Sequence, residues 1–276
     1  MSPLENLVLA MLPDAERARL LPHLEHVELP LGKVLHECGG TSPYVYFPTT
    51  AIVSLMHLLN DGASAEIAAI GCDGVVGFTE LMGGGTAASR AVVQCRGEGY
   101  RLKAHFVTEE IDRAGPFLHV LLRHTQALLT QTAQTAVCNR HHCLDQQLCR
   151  WLLLTLDRLP TNEITVTQEL IASSLGVRRE GVTAAARRLQ RAGVISYRRG
   201  HISVLDRGGL EQRACECYAA VRGEYARLLH APSTTSITAR IMNLCVAAQP
   251  PRKPRLPAGA EQRCSFGWYP QAVTKL

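Results

Sequence analysis

Residues 167–191 read TQELIASSLGVRREGVTAAARRLQR. Two short helical stretches meet here at Leu175-Gly176-Val177. Gly176 suits a sharp turn, because a left-handed backbone carries no Cβ clash at Gly. Ala172 is small, as a close crossing of two helices requires. Ile171, Leu175, Val177, Val182 and Leu189 supply an apolar core between them. The spacing Ala172, Gly176, Val182 predicts a helix-turn-helix. Any αα-hairpin shares part of that pattern, so the flanking residues matter. Gly193-Val194-Ile195-Ser196-Tyr197 enters a strand, Arg198-Arg199-Gly200-His201 reads as a turn, and Ile202–Leu205 returns. A hairpin directly after the second helix is a wing. A helix-turn-helix with a basic wing points to double-stranded DNA as partner.

Residue roles follow from how such a motif docks. The second helix lies in the major groove with its N-terminal residues at base edges. Those are Arg178, Arg179, Glu180 and Thr183. Arg can take guanine O6 and N7 bidentately, and Glu accepts from cytosine N4. Arg187, Arg188, Arg191, Arg198 and Arg199 are placed for phosphates, which set affinity rather than sequence. Thr167, at the start of the first helix, joins the candidates. Gly181 inside the second helix is unexpected, since Gly costs about 1 kcal/mol against Ala there. Close approach of the backbone to DNA is one explanation.

The charge distribution agrees. The net +5 divides into −6 over residues 1–110, +6 over 111–230 and +5 over 231–276. Between 111 and 230 there is no Lys, and the positive charge counted is all Arg. An acidic front and a basic back suggest two modules, the second facing a polyanion. A GC-rich coding sequence produces the same Arg bias, so composition alone does not decide. With 46% hydrophobic and 19% charged residues, the chain is not disordered as a whole.

Upstream, Leu4 to Leu21 reads as helical, broken at Pro13. From Val27 to Leu102 the runs are short: Val45–Phe47, Ile52–Leu59, Glu66–Ile70 and Ala91–Cys95. Gly32, Gly39-Gly40, Asp61-Gly62, Asp73-Gly74 and Gly83–Gly85 separate them. Short strands at such spacing predict an antiparallel barrel or roll. Gly115-Pro116 opens a helical stretch to about His142. Leu118, Leu122, Thr125, Leu129, Thr132 and Ala136 form a heptad-like seam on it, and Phe117, Leu121 and Leu128 a second stripe. Two apolar stripes need two partners, so one is expected against the roll and the other against a second copy. Cys143 to Arg158 reads as a further amphipathic helix. Pro250–Arg255 marks a flexible basic tail.

An acidic roll, a long helix and a winged helix-turn-helix, in this order, resemble the Crp/Fnr family of bacterial transcription regulators. The resemblance covers about 12–229 and is most specific over 166–205, where Val177–Val182 resembles the start of the family's recognition helix. Gly32, Gly62, Gly71 and Gly77 resemble the glycine spacing of its roll. It implies an α+β fold. An N-terminal antiparallel β-roll of cyclic-nucleotide-binding type (12–110) senses an effector. A long dimerisation helix (111–142) precedes a C-terminal winged helix-turn-helix (143–229), and the tail (230–276) lies outside. The implied partners are double-stranded DNA, a second copy of the chain and RNA polymerase.

The departures narrow the effector. Cyclic-nucleotide binders of the family carry Gly-Glu and then Arg-Ser/Thr-Ala. Here Glu80 follows Thr79, and Arg90 is followed by Ala91-Val92. Glu80 and Arg90 remain the candidate effector contacts, but the changes argue against a cyclic nucleotide. No cysteine precedes Cys38, which argues against the family's iron–sulfur cluster. Ala184–Ala186 replace a basic recognition residue, so the target sequence is expected to differ.

No cofactor or metal is predicted. The alternative reading is a thiol- or metal-dependent redox sensor that regulates DNA binding, its handle being Cys138, His141, His142 and Cys143, near Cys149. Helical geometry turns Cys138 and Cys143 to different faces, and Cys215 and Cys217 point apart. Ten cysteines in a chain without a secretory signal are expected to be free thiols. No nucleophile–base pair, phosphate loop or HExxH motif suggests an enzyme. Apolar runs such as Trp151–Leu154 are far below the ~20 residues of a membrane span. The expected location is the cytoplasm.

Overall fold

The computed structural model describes residues 2–83, 85–198 and 200–229; the Glu80 side chain, Arg199 and the 230–276 tail named above lie outside the described residues. Two short helices, α1 (Leu7–Ala10) and α2 (Asp14–Leu20), flank Pro13 and lead into seven strands. These are β1 (Glu25–Leu29), β2 (Val34–His36), β3 (Tyr44–Pro48), β4 (Ile52–Leu58), β5 (Ser64–Ile70), β6 (Arg90–Cys95) and β7 (Gly97–Lys103). All pair antiparallel, in sheets of order β1-β7-β3 and β2-β6-β4-β5. Val45, Phe47, Val53, Ile70, Val93 and Leu102 fill the roll's core. β1, β2 and β7 were not anticipated as separate strands. β1 is mostly exposed, so it lacks the apolar alternation that marks a half-buried strand.

After α3 (Ala104–Asp112), Gly115 caps α4 (Pro116–His141), with Pro116 in its first turn. The 26-residue helix splits its faces as the sequence implies. Phe117, Leu121 and Leu128 are buried with the roll's core. The seam faces outward: Leu122 is 48% and Leu129 62% exposed, and Leu118 is half-buried. Thr125 and Thr132 turn their hydroxyls back onto the carbonyls of Leu121 and Leu128. Their methyl groups are thereby left to the seam, which explains how two Thr fit an apolar stripe.

α5 (Leu144–Leu156) corrects one expectation. It is not amphipathic: every residue from Gln147 to Leu156 is buried. Its Leu148, Trp151 and Leu152 share one apolar cluster with the DNA-binding-type helices that follow. A helix surrounded by other elements loses its polar face.

β8 (Glu163–Thr165), α6 (Gln168–Leu175), α7 (Arg179–Arg191), β9 (Ile195–Arg198) and β10 (His201–Val204) form the next unit, with sheet order β8-β10-β9. α8 (Arg207–Arg213) and α9 (Glu216–Leu229) close the described chain, α9 packing along α4. The hairpin is tighter than its sequence suggested. Arg198 pairs with His201 inside the ladder, so both belong to the strands rather than to the turn. β8 supplies a third strand that the sequence reading missed.

Candidate nucleic-acid interface

The motif is built as its residues require. Thr167 caps α6, its hydroxyl accepting from the Leu170 amide at 3.2 Å. Gly176 ends the helix with φ +64°, and the Val177 amide then bonds the Ala172 carbonyl at 3.0 Å. A side chain at Gly176 would be strained in this left-handed turn. Ile171, Ala172, Leu175, Val182, Ala185 and Leu189 are all buried between α6, α7 and α5.

The outward face carries the predicted readers. Arg178, Arg179 and Glu180 are exposed at the start of α7. Among the described residues no side chain caps that end, which leaves the positive end of the helix dipole without a side-chain cap. Arg187 and Arg191 are exposed farther along, and Arg198 is exposed on the wing. Thr167, Gln168, Arg179, Tyr197 and Gly200 line one shallow depression between the helix starts and the wing. Gln168 organises it. Its Oε1 accepts from the Thr183 hydroxyl at 2.8 Å, and it lines the depression together with Tyr197. Burial pushes the Tyr197 hydroxyl up, against the influence of Gln168 and the nearby Arg179 charge.

Two residues sit differently from the sequence reading. The Arg188 guanidinium is gripped by Asp145 of α5, Nε to Oδ2 at 2.7 Å and Nη2 to Oδ1 at 2.5 Å. Its fork is therefore engaged in holding the second helix against α5. Gly181 faces the same way: a Cβ there would meet Leu144 Cδ2 at 3.0 Å. Packing against α5 is thus a second account of this glycine, beside the approach to DNA considered above.

Arg90 lies at the other candidate site. It is half-buried and ion-paired with Glu37 at 3.0 Å. A cleft of about 260 Å³ is lined by Ser54 and Met56 of β4, Arg90 and Gln94 of β6, and Leu170 and Ser173 of α6. Ser54, Glu66 and Gln94 are joined by hydrogen bonds at its base. Burial raises the Glu66 carboxyl above the usual range, with Ser54 and the Arg150 and Arg158 charges opposing. The cleft touches both the roll and the first helix of the motif. A Cβ on the Gly176 turn would stand 3.4 Å from Ala65 of β5, so that turn rests on the roll as well.

The thiols gather in a set that the sequence did not suggest. Cys138, His142, Cys215 and Cys217 bring their ligand atoms within 4.8 Å of one another. Cys138 lies in the last turn of α4, and His142 follows that helix in extended backbone with its amide bonded to the Cys138 carbonyl at 3.0 Å. Cys215 precedes α9 and Cys217 lies in its first turn, and their side chains converge rather than point apart. A residue just before a helix does not follow the helical rotation that the sequence reading assumed. His141 and Cys143 are exposed and outside the group. Burial pushes the Cys138 thiol up to about 12 and the Cys217 thiol upward, with the Arg150 charge acting against both. The eight described cysteines are free.

Among the described residues, no helix is long and apolar enough to cross a membrane. No curated protein matches the chain in sequence. FixK2 from Bradyrhizobium japonicum is similar in structure, with a TM-score of 0.61 at 17% identity over 70% of this chain and 98% of that one. The transcriptional regulator TTHA1359 of the CRP/FNR family, from Thermus thermophilus, gives 0.55 at 21% over 69% and 98%. The c-di-GMP responsive regulator CLP of Xanthomonas campestris gives 0.54 at 16% over 70% and 99%. Residues 146–213 match the model of the Crp-like helix-turn-helix domain. The chain thus carries a Crp-like helix-turn-helix domain and has the fold of the Crp/Fnr transcription regulators.

Proposed function

We propose that the chain is a homodimeric, sequence-specific DNA-binding transcription regulator. The observation that carries this reading is the uncapped start of α7, where Arg178, Arg179 and Glu180 are exposed beside the basic wing. Arg178, Arg179 and Glu180 read base edges, and Arg187, Arg191 and Arg198 bind phosphates. Thr183 and Thr167 organise this surface through Gln168 and the α6 cap. Arg188 keeps the reading helix seated on α5.

The outward seam of α4 pairs with the same seam of a second copy, which sets two recognition helices on a two-fold site. The cleft beside Arg90 receives the signal. A ligand there would touch β4, β6 and α6 together, and so would bias how the motif sits on the roll. The missing hydroxyl after Arg90 argues for an anion other than a cyclic nucleotide. Contact with RNA polymerase and action in the cytoplasm belong to the same reading.

Selection of bound fragments from a random DNA pool, beside Arg179→Ala, tests the proposal. A palindrome with half-sites about one helical turn apart, relaxed at one position in the variant, is expected. Identical enrichment by both proteins would remove Arg179 as a reader.

A further inference from the structure

We propose that Cys138, His142, Cys215 and Cys217 form a closed zinc site that staples the end of α4 to the start of α9. The inference is independent of what the helix-turn-helix binds.

The distances fit the ion. Cys138 Sγ and Cys215 Sγ are 3.5 Å apart, and Cys217 Sγ is 3.6 Å from His142 Nδ1. Zinc–sulfur bonds of about 2.3 Å and zinc–nitrogen bonds of about 2.0–2.1 Å give tetrahedral edges of about 3.8 and 3.6 Å. All four ligand atoms already lie within 4.8 Å, so small rotations of side chains complete the tetrahedron. Three thiolates and one imidazole are a structural zinc set, and four protein ligands leave no open position for substrate. Soft thiolates favour zinc over magnesium or calcium.

Two surrounding features point the same way. With His142 Nδ1 turned to Cys217, its Nε2 lies 3.4 Å from Glu216 Oε1. That is the arrangement in which a carboxylate fixes the tautomer and orientation of a metal-bound imidazole. Arg150 is 4% exposed, bonds Thr135 through Nη1 at 3.2 Å, and its Nε has no hydrogen-bond partner among the described residues. Its charge is felt at both Cys138 and Cys217. Three thiolates around one divalent zinc leave a net negative charge, which a buried guanidinium balances. Gln147 bonds the Cys138 and His142 carbonyls at 3.4 and 2.9 Å, fixing the backbone that presents the first two ligands.

Binding replaces each thiol proton by a zinc–sulfur bond and releases three protons to solvent; no electron moves. The full untagged chain, purified under reducing conditions without chelator, is expected to hold about one zinc per chain by elemental analysis. Chelated chain refilled with cobalt(II) is expected to show tetrahedral ligand-field bands and thiolate charge-transfer absorption. Cys217→Ser should lose the metal, and Cys143→Ser should keep it. If Cys217→Ser does not fold, the cobalt spectrum of the unaltered chain decides. Absence of bound metal together with an octahedral or featureless cobalt spectrum would overturn the site. A Cys138–Cys215 disulfide in the metal-free purified chain, or metal lost on Cys143→Ser, would overturn it too.

Discussion

Arg158 Nε donates to Asp73 Oδ2 at 2.8 Å and to Oδ1 at 3.0 Å, joining the residues just after α5 to the loop after β5. Arg158 is 4% exposed. Its Nη2 also reaches Gln131 Oε1 of α4 at 3.1 Å, and the Tyr225 hydroxyl of α9 donates to that same oxygen at 2.8 Å. Four segments that are distant in sequence thus converge on one guanidinium. It sits where the roll, the long helix and the C-terminal helices meet.

Arg158→Ala is expected to destabilise the chain by about 3–5 kcal/mol, because it leaves Asp73 without its cation beside a hole in the core. Urea unfolding monitored by circular dichroism measures this. A loss under about 1 kcal/mol would put the pair in the class of surface bridges.

His124 makes stability depend on pH. It is fully buried between α4 and the roll, with Nε2 3.3 Å from both the amide and the carbonyl of Val75. Burial holds its pKa down to about 4, against 6.5 for the free side chain. The unfolded chain therefore takes up a proton that the folded chain refuses. The contribution is intact above about pH 6.5 and is lost as pH falls toward 4, by up to about 3 kcal/mol. Urea midpoints between pH 7 and 4.5 should fall less steeply in His124→Gln. Parallel profiles would assign the slope to other groups.

What was legible in the sequence was local. Gly176 and its apolar neighbours lie within one stretch of 25 residues, and turn chemistry plus helical spacing specify their arrangement. The two stripes of α4 were legible for the same reason. Partners distant in sequence left no such trace. Arg158 and Asp73 are 85 residues apart, Cys138 and Cys215 are 77 apart, and Arg188 and Asp145 are 43 apart. Arg188 looks like any exposed basic residue until α5 is in place. The thiol group was sought among neighbours in sequence, where geometry excluded it, and it formed where α9 folds back on α4.

Arg179 and Arg187 should fail differently. Arg179→Ala is expected to weaken specific binding by about 1–3 kcal/mol and to relax one base position. Arg187→Ala should weaken all sequences alike and reduce the salt slope by about 1. Arg188→Ala should change that slope less, since its fork is held by Asp145. Fluorescence anisotropy over a salt series separates the three, and equal slopes for the Arg187 and Arg188 variants would return Arg188 to the phosphates.

Leu129→Glu tests the seam. Leu129 is 62% exposed in the single chain, so the substitution leaves its own core untouched. Opposed across a two-fold seam, the carboxylates repel in an apolar contact. Light scattering should show the mass falling from two chains to one, with operator affinity falling beside it. A mass that stays at two chains would move the interface to another face.

Gly181→Ala separates the two accounts of that glycine. The new methyl would stand 3.0 Å from Leu144 Cδ2, the far end of a flexible, half-buried side chain. Replacing Gly in a helix interior gains about 1 kcal/mol, from which the shift of Leu144 subtracts part. A net rise of a few tenths of a kcal/mol is therefore expected, with operator affinity unchanged. Gly181→Val adds branches that Leu144 cannot clear and should lower stability instead. Thermal melts and anisotropy on the same samples decide. Lost DNA affinity with unchanged stability in Gly181→Ala would mean that the backbone at this position lies against DNA rather than only against α5.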